Sequence, residues 1–411
     1  MTTTPLPVGP VLAITTATQS FSTLGVLALA AVAPEAARTL GISPALIGYQ
    51  VGIVFSGAML SASVAGGLAQ RYGSVRTSQI SLWLIAAGCA LSAAGTLAAL
   101  VLGAFAMGLG YGVTNPAASQ LLTRLPAQGR MNLLFSIKQT GVPIGGVLSG
   151  VLVPPLALAL GWPAALVTCA RLLATLGFAI GAKRSEWDSE RRPGAAVLGS
   201  AFQSVALVWR HKPLRWLAAA SFLYSGVQLS LTGFLATYLV TDIHLSLVVA
   251  GTVLSVTHAA GAVGRLAWGW LADRLGSGGR ALILNGVLAA GGALLVAAIT
   301  PHWPLAAVMA ATAAFGFCAM GWNGVYIAVI ARLSPPGSIG LATGGSLTAT
   351  YAGVIVMPPA FAALHDQLGL TYGSAFALLS LVTALGIGCV VLVRRAHAAS
   401  GGHTTAATGG S

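Results

Sequence analysis

Three basic side chains stand inside long apolar runs of this 411-residue chain: Lys138, Arg171 and Arg265. None of the 7 acids does. Glu35, Asp242 and Asp366 fall near the ends of such runs, Asp273 at a turn, and the rest in a polar connection. A charge placed in hydrocarbon is expensive and marks a functional position by default. Cations without acids at their own depth suit an anion. Arg265 precedes Asp273 by eight residues, about 12 Å along a helix at 1.5 Å per residue. Lys138 follows Arg130 by the same interval, so it enters its run to a similar depth.

Each cation has a plainer reading. Lys138 can snorkel back to the headgroups on its long stem. Arg265 can brace a gate through Asp273, and Arg171 can fix a helix end or meet a lipid phosphate. His258 lies seven residues before Arg265, on the same helical face. It titrates near neutrality, so it and a protonatable substrate are the two candidates for coupling to protons. Uncharged polar residues gather on four runs. Gln19 is on the first, Asn115 on the fourth, Tyr224 and Gln228 on the seventh, and Asn323 and Tyr326 on the tenth. Such side chains can simply bond helix to helix. Their concentration on these four runs favours an aqueous pathway, with Arg265, Lys138, His258, Asn115, Asn323, Tyr224, Gln228, Gln19 and Tyr326 as substrate-binding candidates.

The elements that position them are read from composition. Hydrophobic residues make up 56% and charged residues 7%, with mean hydropathy +0.87. A soluble chain carries about a quarter charged residues, so this one faces lipid. A spanning helix needs about 20 apolar residues, and twelve runs qualify: 11–33, 45–69, 78–96, 99–123, 131–158, 162–182, 214–240, 247–272, 281–299, 304–331, 339–364 and 371–393. The spacing predicts an all-α membrane protein, with Pro143 bending the fifth span. Arg71, Arg76, Arg124, Arg130, the basic middle connection, Arg274, Arg280, Arg332, Arg394 and Arg395 all fall on one side, while the opposite connections carry Arg38 alone. The positive-inside rule makes that basic side cytoplasmic, with both termini, in a cell (inner) membrane. The net charge of +13 is therefore a topology signal and not a nucleic-acid surface. Ala31-Val32-Ala33 followed by Pro34 is no signal cleavage site. The 4 cysteines have no paired spacing. Phosphate-binding loops, zinc motifs and nucleophile elbows are missing, so no enzyme, cofactor or metal is expected.

The chain repeats itself. Leu68-Ala69-Gln70-Arg71-Tyr72-Gly73 recurs as Leu271-Ala272-Asp273-Arg274-Leu275-Gly276, preceded by Gly66 and Gly269. Asn115 to Leu125 aligns with Asn323 to Leu333 without a gap. Residues 1–182 and 213–395 thus read as two six-helix bundles. Between them lies a linker, 183–212, with an amphipathic helix at 195–210, and a disordered tail follows at 396–411. The short turns need Gly73 and Gly276. Gly66, Gln70, Arg71, Gly73, Gly269, Asp273, Arg274 and Gly276 are the gating candidates, against the plainer reading that they only make turns and set topology.

Two six-span halves, the middle connection and Gly269-Trp270-Leu271-Ala272-Asp273-Arg274-Leu275-Gly276 resemble the major facilitator superfamily of secondary transporters. That resemblance implies two pseudo-symmetric bundles, a functional monomer, alternating access to a central small-molecule site, and an acid in the loop that helps lock the outward-facing state. The first copy departs, with Gln70 in place of the acid. Gly264-Arg265 with Gly269 is similar to the eighth-span pattern of monocarboxylate-type carriers, where the arginine binds the substrate carboxylate. Lys138-Gln139-Thr140-Gly141-Val142-Pro143 resembles a stretch of bacterial cyanate-type carriers. The implied function is a secondary carrier of a small organic anion such as a monocarboxylate. Exporters of drugs or neutral amphiphiles, and a membrane sensor that borrowed the fold, are the alternatives.

Overall fold

In lipid every backbone N–H and C=O must be paired within the segment, and an apolar run satisfies this as a helix. The computed structural model, which describes residues 6–41, 44–126 and 129–406, is helical with no strand among them. Among the described residues, ten stretches of helix are long and apolar enough to cross a membrane. The third and eighth runs are the helices Ser74–Ser92 and Leu247–Arg274, giving the twelve-helix fold. The remaining unbroken spans are Val8–Ala31, Pro44–Tyr72, Leu97–Leu122, Trp162–Ile180, Lys212–Thr241, Gly278–Ala297, Ile339–Asp366 and Tyr372–Ala406. The last helix runs on past residue 395, and residues 407–411 lie outside the described residues.

Two spans are broken. The fifth comprises Met131–Gln139 and Gly141–Leu160. Pro143 has no N–H to give the Gln139 carbonyl, and Thr140 instead bonds to the Ile137 carbonyl at 3.1 Å as a tight turn. The tenth comprises Leu305–Ala319 and Asn323–Leu333, with no proline at the break. There Gly321 lies under Trp268, where a Cβ would collide with the indole. Close approach of the eighth span therefore selects glycine at the break.

The chain divides into two compact units. The first holds Met1–Gln128, Ile137–Leu207 and Ser334–Ala352, and the second holds Gly129–Ser136, Val208–Leu333 and Gly353–Ser411. Each unit therefore includes the start of a span whose remainder belongs to the other. Small residues close the packing in both, as is usual where lipid supplies no hydrophobic drive between helices. In the first unit Gly57, Gly108 and Gly112 join the second and fourth spans, and in the second unit Gly264 packs on the Phe317 carbonyl. Cys89, Cys169 and Cys318 are free and buried, and Cys389 is free and half-buried.

The middle connection is docked on the first unit. Gly73 has φ +93° and its missing Cβ makes room for Asp188. The Asp188 carboxylate accepts from the Val75 and Arg76 N–H groups at 2.8 and 3.0 Å, capping the third span. Burial raises the Asp188 pKa against the pull of these two N–H bonds and of Arg184 and Arg191. The docked state thus holds the neutral acid more readily than water does, and ionisation opposes docking. Asp188→Ala is expected to lower stability by about 1–2 kcal/mol. Asp188→Asn should lower it less, because an amide oxygen keeps one bond and no buried charge remains. Thermal unfolding of the two purified variants in detergent checks the order.

Candidate substrate site

The first unit builds a polar nest around Lys138. The side chain is 1% exposed. Its ammonium donates to Gln19 Oε1 at 2.6 Å, to Gln139 Oε1 at 3.2 Å and to Asn115 Oδ1. These acceptors come from the first, fourth and fifth spans. Lys138 also sits in the last turn of the half-helix Met131–Gln139, where unpaired carbonyls favour a cation. Gln19 Nε2 is buried with no partner among the described residues. A donor left in this state beside an ammonium is an open place for an acceptor, since buried polar groups are normally satisfied.

Two glycines bring the nest together. A Cβ on Gly141 would lie 2.7 Å from the Thr16 carbonyl and from Gln19 Cβ, and one on Gly145 would strike the Ser20 carbonyl. The fifth span therefore touches the backbone of the first, and that approach puts Lys138 within reach of Gln19. Gly145→Val is expected to separate the two helices, cost about 1–3 kcal/mol by overpacking, and weaken any ligand held by the nest. Unfolding temperature and ligand titration of the variant measure both effects.

The second unit places a different set together. Gln228 Oε1 accepts from Trp322 Nε1 at 3.2 Å and from Asn323 Nδ2 at 3.0 Å, at the break in the tenth span. Tyr326 donates to Ser221 Oγ at 3.0 Å. Trp322 stacks edge-on with Tyr326 at 5.2 Å and Tyr224 at 5.8 Å. The Tyr224 hydroxyl is engaged elsewhere, donating to the Leu282 carbonyl of the ninth span at 3.2 Å. Arg265 is 4% exposed and follows Gly264, the contact point with the tenth span. His258 is exposed, seven residues before Arg265 on the same helical face.

Arg171 is exposed near the middle of the sixth span, facing outward. Such a cation costs about 2.5–3.5 kcal/mol at insertion. Arg171→Leu is expected to raise membrane yield and leave transport at the wild-type rate, as flux per molecule of purified protein would report.

The gating candidates also fall into two sets. In the second unit Asp273 accepts from the backbone N–H groups of Asn132 and Leu133 at 3.1 and 2.8 Å, and from Asn132 Nδ2 at 2.6 Å. It thereby caps the fifth span, with Arg332 at 3.7 Å. Gly269 leaves room for Ser136. In the first unit the Gln70 side chain donates from Nε2 to the Gly337 carbonyl at 3.1 Å, and its backbone carbonyl accepts from the Arg192 N–H at 2.7 Å. Gly66 lies against the backbone of Leu341. Gly276 turns at φ +60°. Arg71 and Arg274 are exposed over Tyr72 and Trp270.

Sequence reasoning missed Gln139, Asn132, Ser136, Ser221 and Asp188. Gln139 and Ser221 stand one and three residues from residues it singled out, and a search of neighbouring helical positions would have found them. For Asp188, in a polar linker, no local signal existed.

A family model described as the Major Facilitator Superfamily matches residues 15–344. An uncharacterized MFS-type transporter of Mycobacterium tuberculosis (strain CDC 1551 / Oshkosh) is 28% identical over 309 residues, covering 72% of this chain and 66% of the relative. The chain thus spans just under two thirds of that relative's length. The hexuronate transporter of Bacillus subtilis (strain 168) is 23% identical over 235 residues, 54% of this chain and 56% of the relative. Among solved structures, the E. coli fucose:proton symporter superposes with TM-score 0.73 at 16% identity, covering 95% of this chain and 99% of that one. The human organic anion transporter MFSD10 gives TM-score 0.75 at 16% identity, covering 94% and 100%. These two share the fold. With the family model matched across most of its length, the chain belongs to the Major Facilitator Superfamily.

Proposed function

We propose that this protein is a secondary transporter that carries a small organic anion by alternating access, with its basic side and termini in the cytoplasm. The observation that carries the reading is the buried Lys138 ammonium beside the unpartnered Gln19 Nε2. A carboxylate there would accept from Gln19 Nε2 and, by taking the place of one of the three amide oxygens, from the ammonium, while the other two keep it oriented. Arg265, buried in the other unit, is the second cation proposed for the cargo. The names of two similar proteins, a hexuronate transporter and an organic anion transporter, support a carboxylate-bearing cargo.

Energy comes from a gradient. With protons as the coupling ion, His258 and a protonatable cargo are the two candidates, and loss of pH-gradient stimulation of uptake in His258→Ala assigns the role to the histidine. Uptake of labelled monocarboxylates and hexuronates into proteoliposomes tests the cargo class. Saturable uptake of one of them, competed by its unlabelled form, supports the anion. Uptake of neutral sugars alone would overturn it in favour of the second reading, a neutral ring-bearing cargo, which the Tyr224, Trp322 and Tyr326 rings favour.

A further inference from the structure

The connection between the sixth and seventh spans contains the helix Gly199–Arg210. At about 100° per residue its positions sort into faces. Ser200, Ser204 and Val208 are buried and share one face. Ser200 seats the helix start on the second span, where its Oγ donates to the Val64 carbonyl at 3.3 Å and Gly67 leaves room for the serine. Leu198, just before the helix, and Phe202 and Trp209 within it are 85%, 78% and 63% exposed. These three fall within about 40° of one another, opposite the seated face. Arg210 and Gln203 form an exposed polar margin beside them.

The surroundings are all of one sign. Arg191, Arg192, Arg210 and Lys212 are exposed, and the sequence carries no acid between Glu190 and Asp242. Only His211 separates this helix from the span Lys212–Thr241, so Trp209 stands three residues from the start of that span. Tryptophan prefers the membrane–water interface, and a basic helix with an aromatic face binds where apolar burial and anionic headgroups coincide.

We propose that Leu198, Phe202 and Trp209 insert into the leaflet on the basic side, and that anionic phospholipids are the partner that holds them there through Arg191, Arg192, Arg210 and Lys212. One face of the helix grips protein and the opposite face grips lipid. The middle connection is then a membrane-seated strap.

The full chain with Cys389→Ser and Phe202→Cys, carrying an environment-sensitive fluorophore at position 202, tests this in lipid nanodiscs. In discs containing phosphatidylglycerol the probe is expected to emit to the blue and to be quenched several-fold by spin-labelled lipid. A probe at Gln203→Cys stays wet and unquenched. Discs of phosphatidylcholine alone, or Arg191→Gln with Arg192→Gln and Arg210→Gln, should cut the quenching by at least half. A probe that is wet in both discs overturns the proposal. Equal quenching in both discs, unchanged by charge removal, overturns the anionic partner, and a blue shift without lipid quenching shows that protein covers the face instead. Trp209→Cys repeats the measurement should Phe202→Cys fail to fold.

Discussion

Lys138→Met is expected to weaken binding of an organic anion by about 30- to 1,000-fold, equivalent to roughly 2–4 kcal/mol for truncating a buried, hydrogen-bonded charge. Methionine keeps most of the stem and removes the ammonium. The oxygens of Gln19, Asn115 and Gln139 then face one another without their shared donor. The variant should therefore also unfold at lower temperature, so binding is measured on the folded fraction by calorimetry. Lys138→Arg keeps the charge but brings a planar fork to a nest shaped around a point charge, and is expected to recover only part of the affinity. Arg265→Met is the companion measurement. If both variants bind and transport an anion at the wild-type level, the cationic site is wrong. Loss with Arg265→Met alone points to one carboxylate held in the second unit, and loss with either to two anchoring points.

Asp273→Ala is expected to loosen the start of the fifth span by about 30- to 100-fold, and Gln70→Ala to change its own region by only about threefold. The contrast follows from the bonds. Asp273 brings a charge to two backbone N–H groups at a helix start and to Asn132 Nδ2. Charge-assisted bonds of that type are about twice as strong as neutral ones, and the helix end adds its own field. The half-buried Gln70 side chain offers one neutral bond. Maleimide labelling of Ser136→Cys, a buried position against Gly269, reads the loosening directly. Labelling no faster in Asp273→Ala than in the parent would show that Asp273 is only a turn residue.

The spans were legible because length and apolarity alone decide whether a helix can cross lipid, and this chain satisfies both almost everywhere. The break at Thr140 was also readable, since Pro143 forbids a bond wherever it stands. The break before Asn323 was not. It depends on Trp268 pressing on Gly321, a contact between spans that no local pattern contains.

The site was legible in its charges and less so in its partners. Lys138, Gln19 and Asn115 were each singled out, yet their meeting depends on Gly141 and Gly145 letting two backbones touch. Tyr224 and Gln228 are spaced by four residues, but that spacing drifts by about 40°. The drift turns Tyr224 to the Leu282 carbonyl while Gln228 meets Trp322 and Asn323. Asp188 shows the limit most plainly, because an acid between Trp187 and Ser189 in a charged linker gives no sign that it will be buried under the third span.

The exchange of segments between the compact units has a consequence for dissecting the molecule. A gene cut at the middle connection would give a first half lacking Ser334–Ala352 and a second half lacking Gly129–Ser136. Neither polypeptide would own everything its unit requires. The backbone at Gly66 would lose Leu341, and the carboxylate of Asp273 would lose both amides it caps. Synthesised alone, each fragment should be cleared by membrane proteases. Synthesised together, they should rescue one another, so complementation by split genes is the natural assay for whether those borrowed ends are indispensable.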